Sequence, residues 1–469
     1  MEKRKPVRQN KNKFIYPSSF KDPSGFVYQI DGTVYRQINP IYKEDFDFLI
    51  TSGLYERLKK QKLLIVHSEV DIKYAHDKNA YKVIKPKFVP FISYPYSWSF
   101  SMHKDAALLT LKIQKIAMEY GMSLKDASAF NIQFLDGRPI FIDTSSFERY
   151  KEGLPWVAYR QFCQHFLGPL SLMSKKDIRL SQLFKIYLDG IPLDLVSKLL
   201  PKTTYLNFML LFHIHIHANS QSKWADKQIN INKQKINISK IQLQALLDNL
   251  YSGIEKLSLK ETRTEWGDYY TFTNYDRKAF DDKSHIIKKM IKAVNPKTVW
   301  DMGANDGHFS RIAADYGAKT IAFDIDPIAV EKNYLNIKKN KEKNILPILV
   351  DLVNPTSDYG WSNEERTALI KRGPADTVMA LALIHHLAIG NNLPIRKIAK
   401  FFAKLGKFLI IEFVPKKDSQ VKKLLASRED IFLDYSQENF EHEFRKYFEL
   451  IQKQKVKNSL RTIYLYKKI

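Results

Sequence analysis

From Lys297 onward, strand-length apolar runs alternate with helix-length amphipathic stretches, and no other feature of the chain restricts its fold as much. Strands are expected over Thr298–Met302, Thr320–Phe323, Ile345–Val350, Thr377–Leu381 and Phe408–Phe413. Helices such as Phe309–Tyr316 and Pro327–Lys339 fall between them. This spacing predicts an α/β domain, a doubly wound and mostly parallel sheet with helices on both faces. Right-handed crossovers then place every strand C-terminus on one edge, where ligands bind.

The first of these strands runs into Val299-Trp-Asp301-Met-Gly303-Ala-Asn305-Asp306-Gly307-His-Phe309, and a helix starts at once. Gly303 and Gly307 permit a tight turn and close backbone approach by a ligand. The helix N-terminus adds unpaired N–H groups. Asp324 closes the second strand, 17 residues after Gly307. An acidic side chain there can accept hydrogen bonds from both hydroxyls of a ribose. A dinucleotide site requires G-x-G-x-x-G. The spacing Gly303-x3-Gly307, with Asn305 between, does not supply it. Asp301, two residues before the first glycine, suits a ligand with an ammonium group.

With Asp351 closing the third strand, the ordered set resembles the class I, Rossmann-like, S-adenosylmethionine-dependent methyltransferases over about Lys297 to Phe413. The resemblance implies S-adenosylmethionine as cofactor, with Asp301 and Gly303 near its methionine moiety. Asn305 stands where the family often has a second glycine, and Gly307 completes the loop. Asp324 would hold the ribose, and Asp351 with Leu352 would face the adenine. Ala380, where strand four passes into Ala380-Leu-Ala-Leu-Ile-His385-His386, is placed beside the cofactor. His385 and His386 are candidate catalytic bases for an oxygen or nitrogen acceptor, because imidazole titrates near neutral pH. The plainer alternative is that one histidine packs and the other shapes the pocket. Glu412, at the end of strand five, is the other candidate base. Trp266, Tyr269, Tyr270, Tyr275 and the segment Asp434-Tyr435-Ser436 are candidates for the acceptor site or for packing.

A second signature lies in the N-terminal half. Met122-Ser-Leu-Lys-Asp126 leads to Asn131, a hairpin, and Phe141-Ile-Asp143-Thr-Ser. An Asp, an Asn five residues later and an Asp after the hairpin form the kinase-like catalytic order. The segment resembles kinase-like phosphotransferases over about Gly25 to Pro201. That implies Asp126 as the base, Asn131 and Asp143 as Mg²⁺ ligands, and Mg-ATP as a cofactor. The departures are Leu124 in place of the catalytic-loop histidine, Thr-Ser after Asp143, and no glycine-rich phosphate loop. Arg36 or Lys82 would have to replace the usual lysine.

Local patterns fill in the rest of this half. Phe26–Ile38 and Ile132–Ile142 read as hairpins around Asp31-Gly32 and Asp136-Gly137. Phe46–Lys60 reads as a helix, Tyr81–Tyr94 as strand then loop, and Ala106–Tyr120 as a helix ended by Gly121. Ser239-Lys-Ile-Gln242 has capping-box spacing, with Ile238 and Leu243 as its staple. Four segments are therefore expected: a basic tail over 1–20, a kinase-like α+β domain over 21–204, a helical connector over 205–262, and the methyltransferase domain over 263–469.

The 469 residues carry a net charge of +25. Lysines outnumber arginines roughly three to one and are spread along the chain, whereas base and phosphate readers favour arginine. Composition therefore points away from a nucleic-acid partner and allows loose contact with anionic surfaces. Cys163 is the only cysteine and sits among aromatics, which suggests a core position and rules out an intrachain disulfide. No segment has the length and apolarity of a membrane span or the character of a signal peptide, so a cytoplasmic location is expected. His213, His215 and His217 would share a face only on a strand, and a structural role is expected of them. The expected acceptor is a small molecule or a saccharide or envelope precursor. The competing reading is a phosphotransferase or nucleotide-binding protein with an accessory methyltransferase domain.

Overall fold

A computed structural model describes residues 13–218, 237–259, 277–426 and 429–469. The N-terminal half opens with Lys13–Ile15 (β1), Gly25–Ile30 (β2), Thr33–Ile38 (β3), His67–Val70 (β4) and Lys82–Pro86 (β5). They form one antiparallel sheet in the order β1-β2-β3-β5-β4. The β2–β3 turn places Asp31 and Gly32 at φ 49° and 81°, the left-handed pair that a two-residue hairpin requires. Strand β1 lies within the expected basic tail. Its backbone pairs with β2, so ordered structure begins by Lys13 rather than after residue 20.

The region expected as one helix over Phe46–Lys60 is two, Lys43–Thr51 and Leu54–Lys60. Gly53, at φ 84°, turns the chain between them. The helix Phe100–Glu119 starts earlier than the apolar spacing suggests, because the Ser99 hydroxyl caps the Met102 N–H. Short strands follow at Met122–Leu124 (β6), Ile132–Leu135 (β7), Arg138–Phe141 (β8) and Phe147–Arg149 (β9). Pairs β7–β8 and β6–β9 are antiparallel and carry the Asp126–Asp143 segment between them. A small antiparallel sheet is thus followed by a mainly helical lobe.

The expected connector belongs, in its described parts, to this lobe. The capping box of Ser239 and Gln242 is present, and it starts the helix Lys240–Glu255. Leu243, Leu247, Leu250 and Ile254 from that helix enter the N-terminal core. The histidine run is helical. His213 contacts Tyr159 and Asn249, and His215 contacts Ser197 and Thr204. Cys163 is fully buried.

The C-terminal half holds Thr298–Met302 (β10), Lys319–Asp324 (β11), Ile345–Leu349 (β12), Ala375–Ala380 (β13), Gly406–Phe413 (β14), Phe448–Lys455 (β15) and Thr462–Lys468 (β16). Their order is β12-β11-β10-β13-β14-β16-β15. The first five are mutually parallel, and β16 runs antiparallel to both its neighbours. The order turns outward in both directions from β10 and β13. A crevice opens there above the strand C-termini, the usual ligand position in such sheets.

The two halves share a packed seam. Phe91, from the N-terminal half, inserts into the sheet core against Trp300 and Phe323. In return Ile328 and Tyr334, from the helix Pro327–Asn340, join the N-terminal core. Polar contacts reinforce it: Glu331 accepts from the backbone N–H and hydroxyl of Ser101, and Tyr334 donates to Asp105 at 2.8 Å. Farther along, Arg366 lies 4.0 Å over the Phe130 ring and Arg372 4.8 Å over Phe91. No helix among the described residues is long and apolar enough to cross a membrane.

Candidate functional site

Strand β10 delivers Asp301 almost wholly buried, and Ser310 donates to its carboxylate at 2.6 Å. The chain then turns sharply, with Gly303, Asn305 and Gly307 at φ 78°, 51° and 85°. The Gly303 and Ala304 N–H groups both donate to the Phe323 carbonyl at 2.9 Å, which holds the loop against the end of β11. Asp324, at that end, accepts from the Asn305 N–H at 2.7 Å and the Asp326 N–H at 2.9 Å. Asp351 follows β12 and accepts from the Val353 N–H at 2.9 Å.

These elements surround a cavity of about 270 Å³. It is near the lower end of the roughly 300–1,000 Å³ of small-molecule sites. Seven of the residues singled out from sequence line it: Asp301, Gly303, Asn305, Asp324, Asp351, Leu352 and His386. Burial raises the Asp301 carboxyl to about 7, opposed by the Ser310 hydroxyl. Burial likewise raises Asp324 to about 6, opposed by backbone N–H donors. The cavity therefore concentrates carboxyl groups that a cation would help to ionise.

Four expected residues lie elsewhere. Gly307 caps the helix His308–Asp315 and packs toward Asn333 and Arg311, where a Cβ would collide. Its glycine serves helix packing rather than ligand approach. Ala380 is buried in the sheet, and the next residues, Leu381 and Ala382, reach the cavity instead. His385 is fully buried behind the cavity wall, and its two ring nitrogens have no hydrogen-bond partner. Burial and the neighbouring His386 hold it far below the ordinary histidine value.

Glu412 is fully buried and tied up. It accepts from Lys283 at 2.6 Å and from the Ala382 N–H at 2.7 Å, and Arg461 lies 3.6 Å away. A carboxylate so engaged is a support for the β13–β14 edge rather than a base. His386 does face the cavity, but burial, then Arg461, lowers it to about 4. The titration near neutral pH expected of it is therefore absent, and its ring is neutral at physiological pH. Phe280 and Lys283, from the helix Arg277–Val294, also line the cavity and were not legible from sequence. Tyr435 packs on Phe413 and donates to the Val414 carbonyl at 2.7 Å, which gives it a core role. Trp266, Tyr269, Tyr270 and Tyr275 lie outside the described residues.

In the N-terminal half the kinase-like trio is brought together and internally satisfied. Asp143 takes Arg36, the Ser145 hydroxyl at 2.7 Å and N–H at 2.9 Å, and the Ser146 hydroxyl at 2.8 Å. Burial would raise its pKa, but Arg36 and the two hydroxyls outweigh this and hold it below the usual value. Asn131 donates to Ser146 at 3.2 Å. Asp126 accepts from Gln161 at 2.8 Å and the Ser128 N–H at 2.9 Å, and burial, then Asp143, raises it. Arg36 is thus the cation of this cluster, while Lys82 pairs with Glu69 on the sheet surface. Among the described residues no group of three or more His, Cys, Asp or Glu side chains is arranged to hold a metal ion.

Comparison with known proteins agrees with this geometry. Residues 275–452 match the model of a methyltransferase domain family. Over 456 residues the chain is 32% identical to the nodulation protein NoeA of Rhizobium meliloti, covering 96% of this chain and 95% of that one. The chain belongs to the NoeA family. Its matched domain makes this NoeA-family member an S-adenosylmethionine-dependent methyltransferase. It is also 24% identical over 220 residues to the ribosomal protein L11 methyltransferase of Anoxybacillus flavithermus, over 42% of this chain and 69% of that one. A solved structure of the bifunctional kinase-methyltransferase WbdD superposes with a TM-score of 0.29 at 16% identity, over 40% of this chain and 39% of that one.

Proposed function

We propose that the cavity at the β10–β13 crevice holds S-adenosylmethionine and that the acceptor is a small molecule or saccharide precursor presenting a hydroxyl or amine. The observation that carries this reading is the gathering of Asp301, Asp324 and Asp351, from three adjacent strand ends, around one cavity. Asp301 receives the ammonium group and Asp324 the ribose hydroxyls. Asp351 and Leu352 border the nucleobase, and Gly303 and Asn305 bring the loop backbone close. The residues fit such a cation: a Cβ on Gly303 would press on Leu383 at 3.3 Å, and two buried carboxyls wait above their ordinary pKa.

S-adenosylmethionine supplies a methyl group on a cationic sulfur, open to in-line displacement. The protein positions the acceptor, an effect that can contribute roughly 7–11 kcal/mol. His386, neutral and at the cavity wall, accepts a hydrogen bond from the acceptor hydroxyl or amine and orients it. Glu412 positions the wall through Lys283 and the Ala382 N–H. Leu387 and Val353 add apolar side chains to the cavity lining.

The N-terminal half acts as a scaffold for the methyltransferase. Mg-ATP would have to displace Arg36 from Asp143 before a metal could use that carboxylate. A cytoplasmic location and loose contact with anionic surfaces fit the charge of +25.

Calorimetric titration with S-adenosylhomocysteine tests the cofactor site, with micromolar binding expected; no binding to the wild-type protein would remove the reading. Mass spectrometry of metabolites and glycans, with and without the protein, would show the acceptor as a species gaining one methyl group.

A further inference from the structure

The helical run 208–216 is inside out for a helix at the surface of a folded lobe. It buries His213 and His215 to 6% and 0% exposure and turns Phe208 and Phe212 outward at 66% and 46%. A polar ring costs free energy to bury and a phenyl ring gains by leaving water, so an ordinary amphipathic helix has the opposite arrangement. Here the histidines are locked in. His213 is hydrogen-bonded to Tyr159 at 2.6 Å and Asn249 at 2.9 Å, and His215 to Ser197 at 2.8 Å and Thr204 at 2.9 Å. These bonds fix the rotation of the helix, and with it the outward direction of the two phenyl rings. The rings form a pair, with centroids 4.4 Å apart. The preceding short helix, Lys202–Leu206, adds Leu206 at 91% exposure and Tyr205, whose ring stacks on His215. Single exposed apolar side chains are ordinary, but a group held outward in this way marks an interaction surface.

Charge selects the partner. No Asp or Glu occurs from Leu195 to Ala225, whereas Lys198 and Lys202 are exposed on the two short helices that lead into the patch. Lys198 approaches Asp194 only to 3.8 Å. A second copy docked across a two-fold axis would set these lysines against themselves. An anionic bilayer surface satisfies both features: apolar side chains enter the boundary of the acyl chains while lysines meet lipid phosphates. We infer that Leu206, Phe208 and Phe212, with Lys198 and Lys202 beside them, dock the protein on an anionic lipid surface. Tyr205 then lies at headgroup level, where tyrosine is favoured. The helix lies on the surface and does not cross it. This gives a location to the contact with anionic surfaces proposed above.

Flotation of the full chain with vesicles tests this, using phosphatidylcholine alone and phosphatidylcholine mixed equally with phosphatidylglycerol. Wild-type protein should float with the mixed vesicles and keep part of its binding at high salt, because the apolar contribution is not screened. Phe208→Ser/Phe212→Ser should lower binding at least about tenfold with an unchanged melting temperature, since both rings face outward. Lys198→Gln/Lys202→Gln should lower it by about tenfold at low salt and much less at high salt. Should the phenylalanine variant melt early, Leu206→Ser at the most exposed position provides the same readout, and undiminished binding there overturns the site. Wild-type protein that does not float overturns it as well. Binding that ignores the phenylalanine variant and vanishes with salt would keep the loose anionic contact and overturn this docking site. A wild-type dimer that the phenylalanine variant turns into a monomer would assign the face to a second copy instead.

Discussion

The Asn305 N–H donates to Asp324 Oδ2 at 2.7 Å, so the residue that closes β11 also fixes the left-handed turn after β10. The same carboxylate takes the Asp326 N–H through its other oxygen. Asp324→Ala should therefore lose ribose contacts, worth about 1.5–3 kcal/mol each when charge-assisted, and loosen the loop. S-adenosylhomocysteine affinity should fall at least about tenfold by calorimetry. Asp324→Asn keeps one acceptor oxygen and should fall between. Wild-type affinity in the alanine variant would end the ribose role.

Binding should depend on pH with a definite sign. Asp301 and Asp324 sit at about 7 and about 6, both raised chiefly by burial, so part of each is protonated near neutrality. The ligand's ammonium group favours ionised Asp301, and its ribose hydroxyls donate best to ionised Asp324, so binding releases those protons. Affinity for S-adenosylhomocysteine should rise from pH 5 to pH 8, by up to about tenfold per unit for each group below its pKa. Calorimetry in two buffers of different ionisation enthalpy should show proton release at pH 6. Affinity flat across this range would contradict the arrangement.

The ligand-free fold bears the corresponding cost. The folded pKa of Asp301 is above its unfolded value, so its stabilising contribution is full below about pH 4 and is lost as pH rises through about 7. At pH 8 a buried carboxylate remains, accepting from the Ser310 hydroxyl at 2.6 Å. Asp301→Asn retains an acceptor for that hydroxyl and removes the charge. Its melting temperature should exceed wild type at pH 8, by an amount equivalent to a few kcal/mol, and the gain should shrink toward pH 4.5. Binding of S-adenosylhomocysteine should be lost in the same variant. A variant less stable than wild type at pH 8 would show that the charge is compensated within the empty site.

His386 is held at about 4 by burial, then by Arg461, so it is already neutral at pH 6. It therefore orients the acceptor at constant protonation. His386→Ala should lower kcat by about a hundredfold, in line with misplacement of a reacting group, and leave S-adenosylhomocysteine affinity close to wild type. The pH–rate profile should show no inflection near 6.5 that disappears in this variant. Such an inflection would restore a titrating imidazole to the mechanism.

The legible part of this fold is the part written in periodicity. Strands β10 to β14 and the carboxylates at their ends follow from apolar runs of fixed length with helices between. The β15–β16 pair was not anticipated. Thr462-Ile-Tyr-Leu-Tyr466 is a short, fully buried run without alternation, and periodicity alone does not assign such a run to a strand. Its aromatic and β-branched content, after the turn residues Asn458-Ser459, was the available signal. Lys283 was invisible for the opposite reason, since its burial depends on Glu412, 129 residues away. The two histidines were legible as a pair, but which one faces the cavity is set by the turn after β13. The Asp126, Asn131 and Asp143 order was also legible. The closure of Asp143 by Arg36 depends on how the antiparallel sheet folds over that segment.

The seam between the halves can be tested at a single atom. Gly137, in the β7–β8 turn at φ 77°, faces the other half so closely that a Cβ would lie 2.2 Å from the Glu342 carbonyl oxygen and 3.2 Å from Ile337. Gly317 has a similar φ of 88° but nothing within 4 Å of the corresponding position. Alanine at either site takes the left-handed penalty of roughly 1–2 kcal/mol. Only Gly137→Ala must also push the turn at Glu342, just after the helix Pro327–Asn340, away from the N-terminal half, because a backbone carbonyl cannot swing aside as a flexible side chain can. Gly317→Ala should cost a few degrees of melting temperature, and Gly137→Ala distinctly more. Wild-type protein should unfold in one calorimetric transition, with Gly137→Ala tending to split it as the shared core of Phe91 and Tyr334 opens. Equal losses in the two variants would mean that the seam yields, and that the halves are not held as one body by these contacts.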